Sequence, residues 1–321
     1  MGATSYRYVY GPVQSRRLGK SLGIDLVPFK TCTYDCIYCQ LGQTTHKTLE
    51  RREYVPAAGV LRELEQKLAS GEIFDYISIA GSGEPTLHSG IGDLILQIRK
   101  MTEIPIAVLT NGSLLRLGDV QDDLMPASLI LPSLDAGSER LFQQVNRPHP
   151  DISFDRMVDG LVSFANRFKR DIWLEVLLLE GITGVPREVN KIASILKRIA
   201  PARIQLNTVV RPAAEMNAHP VSRARLLALK NILPGKVDII GDSEHAGPHK
   251  PSLSDSRSKD ILSLLWRRPC TCAEVAYSLG LHPSETIKNL DALIRSGKVI
   301  TKIVDKRAFY SAVGLMNNSR L

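Results

Sequence analysis

Over the first three quarters of the chain, short β-rich runs alternate with amphipathic segments of period near 3.6. The runs are "LGIDLV" (22–27), "DYISIA" (75–80), "PIAVLT" (105–110), "SLILPSL" (128–134), "IWLEVLLL" (172–179) and "RIQLNTVV" (203–210). Parallel strands need long crossovers, and the amphipathic segments supply the helices for them. Ile91, Leu94, Ile95 and Ile98 form one apolar stripe; Val189, Ile192, Ile195, Leu196 and Ile199 form another. Six such units predict an α/β fold built as a partial (β/α)6 TIM-type barrel, with a doubly wound sheet as the alternative. Either fold places its chemistry at the C-terminal ends of the strands.

The pattern breaks at "DSEHAGPHKPSLSDSRS", whose Gly, Pro, Ser and charge without periodicity read as a linker. The expected organisation is a core domain over 1–241, a linker over 242–258, a small domain over 259–313 and a tail over 314–321. In the small domain "KDILSLLW" reads as a helix. Thr271 and Glu274 form a capping box for a second, which Gly280 stops. A third starts at Pro283, carries Ile287, Leu290, Leu293 and Ile294 on one face, and ends at Gly297. Two β-rich runs follow around a charged turn. This order resembles a winged helix-turn-helix, with 283–296 as the recognition helix and Asp305, Lys306 and Arg307 at the wing. Lys288, Asn289, Arg295, Lys302, Lys306 and Arg307 are its candidate nucleic-acid contacts; a docking or lid module is the alternative.

Lys and Arg exceed Asp and Glu by 41 to 33, a net charge of +8. From Asp255 onward eleven basic residues face six acidic ones, so the surplus concentrates in the C-terminal segment. A polyanionic partner is favoured by that balance. Five cysteines, mostly in one cluster, do not make a secreted disulfide scaffold. No run approaches the ~18–20 apolar residues of a membrane span, and the N-terminus has no apolar signal core. A cytoplasmic location is expected.

Three of the cysteines crowd into "PFKTCTYDCIYCQLG" as Cys32, Cys36 and Cys39, just after the first predicted strand. A structural zinc site wants four ligands, and the nearest fourth candidate, His46, reads equally well as a surface loop residue. Most protein-held 4Fe-4S clusters also use four cysteines. Three thiolates leave one iron without a protein ligand, which is the kind of vacancy a catalytic metal site keeps for its substrate.

The spacing CxxxCx(aromatic)C, here Cys32, Cys36, Tyr38 and Cys39, resembles the signature of the radical S-adenosylmethionine (SAM) superfamily. That resemblance implies a 4Fe-4S cluster on the three cysteines, SAM chelated at the open iron, and Tyr38 packed near the adenine. Further positions follow the superfamily's order. Gly81, Ser82, Gly83 and Glu84 in "AGSGEPTLH" resemble its GGE motif, whose backbone groups face the ammonium of SAM; a plain glycine turn is the alternative. Asn111 and Gly112 end the third strand and could face the cofactor or open the next helix. Ser133 and Asp135 match the place of groups for the ribose and methionyl carboxylate, unless Asp135 caps the helix near Ser138. Gln205, Asn207 and Arg211 end the sixth strand, where buried polar side chains need partners.

Residues 6–215 resemble a prokaryotic branch of wyosine-synthetase-like iron-sulfur oxidoreductases. The true wyosine enzymes bind a second cluster, for which no cysteine triad remains here; Cys270 and Cys272 read as small buried thiols. Arg16, Arg17 and Lys20, near Gly11, Gly19 and Gly23, are candidates for RNA-backbone contact or for shaping the barrel. Asn146, Arg147 and His149 are candidates for substrate or cofactor contact, with a plain polar loop before Pro150 as the alternative. Lys30, beside the cluster motif, reads as a solvated loop lysine.

Three functions fit. The first is a radical SAM enzyme acting on RNA or tRNA, with the winged helix holding substrate and a reductant such as flavodoxin or ferredoxin. The second acts on a protein or small metabolite, with the winged helix as docking module. The third is an iron-sulfur-sensing transcription regulator.

Overall fold

The computed structural model describes residues 7–15, 17–240, 257–281, 283–304 and 307–314. Two antiparallel strands open the chain, β1 (Val9–Ser15) and β2 (Gly19–Ile24). Two-residue strands β3 (Thr31–Cys32) and β4 (His46–Lys47) pair with each other beside the sheet. The sheet then continues with β5 (Tyr76–Ile79), β6 (Ile106–Thr110), β7 (Leu129–Pro132), β8 (Asp171–Leu178), β9 (Arg203–Thr208) and β10 (Val237–Ile239). Its order is β1-β2-β5-β6-β7-β8-β9-β10, parallel from β2 onward.

Each parallel step is spanned by helix. The crossovers are α1 (Ala57–Leu68), α2 (Ile91–Met101), α3 (Gly118–Leu124), α4 (Glu139–Val145) with α5 (Phe154–Arg167), α6 (Pro186–Ile199), and α7 (Arg223–Lys230). The two expected stripes on α2 and α6 are buried, and they face strands carrying Ile77, Ile79, Ile106, Leu174 and Leu206. Burial of each such side chain contributes roughly 1.5–3 kcal/mol. Strand order rises with sequence, without the reversal of a doubly wound sheet. No ladder joins β10 to β1 among the described residues.

All six predicted strands form, with shifted ends. The first begins at Gly19 and stops at Ile24, so Asp25, Leu26 and Val27 leave the sheet for the cysteine loop. Two strands carry no strong pattern: β1 is interrupted by Gly11-Pro12, and β10 is three residues long.

C-terminal to residue 256 come α8 (Arg257–Arg267), β11 (Cys270–Thr271), α9 (Cys272–Leu279), α10 (Pro283–Arg295), β12 (Val299–Val304) and β13 (Arg307–Ala312). Their strands form a separate antiparallel sheet, β11-β13-β12. Ile261, Leu264, Leu265, Cys270, Val275, Leu290, Leu293 and Val299 make a core of their own. The capping box at Thr271 and Glu274 is present, and Gly280 ends α9 in the left-handed region at φ 61. Most of the expected linker, the tail beyond Gly314, Arg16, Asp305 and Lys306 lie outside the described residues.

This C-terminal unit packs on β1 and on the mouth of the large sheet. The Arg267 guanidinium lies 3.8 Å from the Tyr10 ring centroid and 3.2 Å from the Asp25 carboxylate. Arg211, three residues past β9, reaches Glu274 at 2.5 Å and the Pro269 carbonyl at 3.1 Å. No described helix is long and apolar enough to cross a membrane.

Candidate active site

The cysteine loop begins where β2 stops. Cys32 closes β3, and the Cys39 amide donates to the Cys36 carbonyl at 3.1 Å in a tight turn. Each sulfur receives one N–H donor from a different segment. Asn111 Nδ2 stands 3.6 Å from Cys32 Sγ, Asn146 Nδ2 3.6 Å from Cys36 Sγ, and Lys30 Nζ 3.2 Å from Cys39 Sγ. Donors of this kind orient metal-bound thiolates and tune them.

All three cysteines line one cavity. Among the described residues no three His, Cys, Asp or Glu side chains converge on a point as ligands of a single ion do. Three thiols that line one cavity and act on one another electrostatically are a donor set that fits a 4Fe-4S cluster. His46 is exposed on β4, its amide donating to the Lys30 carbonyl at 3.1 Å. Burial, with Glu84 nearby, pushes the Cys32 thiol up to about 12, and burial beside Cys32 raises Cys36 well above the ordinary thiol range. Ligation by these sulfurs must therefore release protons.

The GSGE loop after β5 is stitched to the cysteine loop. A Cβ on Gly83 would lie 1.8 Å from the Thr31 carbonyl oxygen, so only glycine permits this approach. That same carbonyl accepts from the Glu84 amide at 3.1 Å, and the Ser82 carbonyl accepts from the Lys30 amide at 2.7 Å. Asp25 holds the loop from beneath, accepting from Ser82 N at 3.1 Å and Ser82 Oγ at 2.5 Å. Gly81 sits at φ +139 against that carboxylate.

Glu84 is buried and fully engaged. Its carboxylate accepts from Thr86 N at 3.1 Å, Thr86 Oγ1 and Thr110 Oγ1 at 2.6 Å each, and Asn111 N at 2.7 Å. Burial raises its carboxyl above the usual range while these donors pull it down. Its side chain acts as a clamp between the ends of β5 and β6. Asn111, held in this way, also donates to Thr33 Oγ1 at 2.7 Å and so spans from β6 to the cysteine loop.

Asp135 neither caps a helix nor lines the cavity. Its carboxylate accepts from the Leu177 amide at 2.9 Å, from Asn146 Nδ2 at 3.2 Å, and from the Tyr38 hydroxyl. Burial pushes it up to about 6. It therefore reaches the site through Tyr38 and Asn146. Ser133 and Asn207 do line the cavity; Asn207 donates to Glu175 at 2.9 Å, which also pairs with Arg17. Gln205 is buried away from the cavity, its Oε1 without a hydrogen-bond partner.

One expectation is corrected. Lys30 is 3% exposed, so it is a buried neighbour of the cluster loop rather than a solvated lysine. Arg147 and His149 do not line the cavity: Arg147 pairs with Glu215 at 2.8 Å, and the His149 amide binds the Thr33 carbonyl at 2.8 Å. Sequence reasoning passed over Asp25, Glu175 and Arg267. The signal for the first two was a carboxylate inside an apolar strand pattern. Lys20 pairs with Glu72 at 2.8 Å on the cavity wall. Cys270 is fully buried in the C-terminal core and Cys272 packs against it.

The cavity measures about 880 Å³. It is lined by the cysteines, the GSGE loop, Asn111, Ser133 and Asn207, and also by Ser263, Leu264, Arg267 and Arg268 from α8 onward and residues 277–281 around the end of α9.

Residues 26–192 match the family model of the Radical SAM superfamily. The chain is 38% identical over 301 residues to a protein named GTPase Obg from Brachyspira hyodysenteriae, covering 92% of this chain but 44% of that one. It thus spans less than half of that relative's length. It is 32% identical over 308 residues to a UPF0026 protein of Methanocaldococcus jannaschii, covering 94% of each. A UPF0026 protein of Helicobacter pylori is likewise 32% identical over 308 residues, with 95% and 97% covered. In fold, the chain is similar to a radical SAM methyltransferase from Sphaerobacter thermophilus, with TM-score 0.52, 16% identity, and 68% and 66% of the two chains covered. It is also similar to Streptococcus suis SuiB bound to S-adenosylmethionine, with TM-score 0.51, 16% identity, and 68% and 50% covered. A family model matching more than half of the chain and UPF0026 relatives aligned along almost its whole length agree: the chain belongs to the radical SAM superfamily, among its UPF0026 relatives, and is an enzyme of SAM and a 4Fe-4S cluster.

Proposed function

We propose that the chain cleaves SAM reductively at a cluster held by Cys32, Cys36 and Cys39 and turns the radical on a substrate enclosed beneath the C-terminal unit. One observation carries this reading: a single cavity is lined both by the three cysteines and by α8 and the end of α9. Its volume of about 880 Å³ lies at the upper end of ligand pockets. When bound, the cluster supplies the electron that splits the sulfonium into methionine and a 5′-deoxyadenosyl radical. The chain's own residues position these parts. Lys30, Asn111 and Asn146 donate to the sulfurs, Asp25 fixes Ser82, and Glu84 braces Asn111. Tyr38, the backbone of Gly81, Ser82, Gly83 and Glu84, Asn111, Ser133 and Asn207 are assigned to SAM, with Asp135 holding Tyr38. A flavodoxin or ferredoxin is the class of reductant the chemistry calls for.

We assign residues 1–241 to the catalytic domain and 259–313 to a winged helix. Because α8 and α9 face the cavity, this unit acts first as a docked roof, which favours a substrate small enough to be enclosed. An RNA target is the second reading. It is supported by the net charge of +8 and by exposed Lys288 and Arg295 on α10, though exposed Asp291 shares that helix. The wyosine-like likeness belongs to the core alone, since Cys270 and Cys272 lie in the C-terminal hydrophobic cluster.

Anaerobic reconstitution with iron and sulfide tests the proposal. A brown protein that forms 5′-deoxyadenosine under reductant is expected, and each of Cys32→Ala, Cys36→Ala and Cys39→Ala should lose both colour and product. A colourless zinc protein would overturn it. Salt-sensitive tRNA binding would move the assignment to the second reading.

A further inference from the structure

The cavity is over-supplied with positive charge. Arg17, Lys20, Lys30, Lys67, Arg211, Lys259, Arg267 and Arg268 line it, against Glu72, Glu84, Glu175 and Asp260. Most of these cations are engaged: Arg17 with Glu175, Lys20 with Glu72, Lys30 with the Cys39 sulfur, Arg211 with Glu274, and Arg267 with Asp25. Arg268 is half-buried; its guanidinium neighbours the Cys270 thiol and has no carboxylate partner among the described residues. It stands beside Arg211, which burial and the Arg268 charge together hold below the usual guanidinium range. Beside it, Arg267 keeps its Nε buried without a hydrogen-bond partner while its guanidinium lies against the Tyr10 ring. At this seam three guanidinium groups, Arg211, Arg267 and Arg268, meet two carboxylates, Asp25 and Glu274.

Crowded guanidinium groups with a surplus charge and an unmet donor are the setting in which a carboxylate or phosphate binds, because planar N–H groups match paired anionic oxygens. We propose that Arg268, with Arg267 beside it, binds an anionic oxygen group of the enzyme's substrate, a phosphate or a carboxylate, where the C-terminal unit lines the cavity. The C-terminal unit thereby selects the substrate by charge as well as covering it. This rests on reading the cavity as the substrate chamber.

The test titrates cluster-reconstituted protein at fixed low ionic strength with inorganic phosphate and, separately, with malonate, followed by calorimetry. Saturable binding of at least one anion is expected, weakened about tenfold or more in Arg268→Gln, the size of loss a charge-assisted hydrogen bond implies. Arg268→Lys, which keeps the charge but not the fork, should fall between the two and keeps the test readable if the Gln variant misfolds. Tighter phosphate binding identifies a phosphate-bearing substrate; tighter malonate binding identifies a carboxylic acid. Binding of neither anion, or binding that both variants leave unchanged, overturns the proposal. A protein that binds phosphate through Arg268 yet takes up no iron refutes the radical assignment alone. One that cleaves SAM yet ignores both anions refutes this inference alone.

Discussion

The Lys30 ammonium lies 3.2 Å from the Cys39 sulfur, on a residue that is 3% exposed and whose backbone is held at φ 60. A non-glycine residue in the left-handed region costs on the order of 1 kcal/mol. Two backbone hydrogen bonds hold it there, Lys30 N to Ser82 O at 2.7 Å and His46 N to Lys30 O at 3.1 Å. The strained turn carries a cation inward to one of the three sulfurs proposed to hold the cluster.

A positive charge beside a thiolate ligand stabilises the more negative, reduced cluster. Lys30→Met should therefore lower the cluster's midpoint potential by tens of millivolts, given that about 59 mV is a tenfold change for one electron. Redox titration followed by electron paramagnetic resonance measures it. An unchanged potential would remove Lys30 from the tuning of the cluster.

Gly83→Ala forces a methyl into the Thr31 carbonyl, 1.8 Å from the ideal Cβ position. Because that carbonyl belongs to backbone next to Cys32, relief must move the cysteine loop. Iron retained per chain after reconstitution should fall severalfold, whereas Gly118→Ala, where a Cβ meets nothing within 4 Å, should keep its iron.

Asp25 joins the GSGE loop to the C-terminal unit, since it accepts from Ser82 and from Arg267 at 3.2 Å. Asp25→Ala leaves that guanidinium without its carboxylate, and removing one partner of a buried pair costs roughly 3 kcal/mol. The variant should show a lower urea midpoint and weaker SAM binding together, both read on reconstituted protein. Loss of stability with SAM affinity intact would confine Asp25 to a structural role.

Asp135 has its carboxyl raised to about 6 by burial, opposed by donation from Tyr38 and Leu177. An acid raised above its unfolded value binds more protons in the folded state, so its contribution is fully present at low pH. That contribution shrinks as pH rises from about 4 to about 6 and is constant above. A carboxyl that titrates near 6 when folded and near 4 when unfolded changes stability by about 3 kcal/mol at most across that window. Asp135→Asn should flatten the apoprotein's urea-midpoint profile there, and an identical slope in wild type and variant would assign it to Asp25, Glu84 or Asp123, whose carboxyls burial also raises.

The sequence by itself determined the six patterned strands, the helical stripes and the cysteine motif, because each is a local pattern. Alternation sets a strand face, a 3.6 period sets a helix face, and CxxxCxxC sets three sulfurs on one loop. Tertiary structure alone decided which polar groups meet. Arg267 and Asp25 are 242 residues apart, Arg211 and Glu274 are 63 apart, and Asn146 and Cys36 are 110 apart. No local period encodes such pairs. Lys30 reads as solvated in sequence because an isolated lysine is cheapest in water. Its burial follows from the fold, which brings the Ser82 carbonyl, the β4 edge and the Cys39 sulfur around one residue and meets its donors there. The roof over the site has the same origin: α8 and α9 announce their own small core, while contact with the strand ends is what turns them into a wall of the cavity.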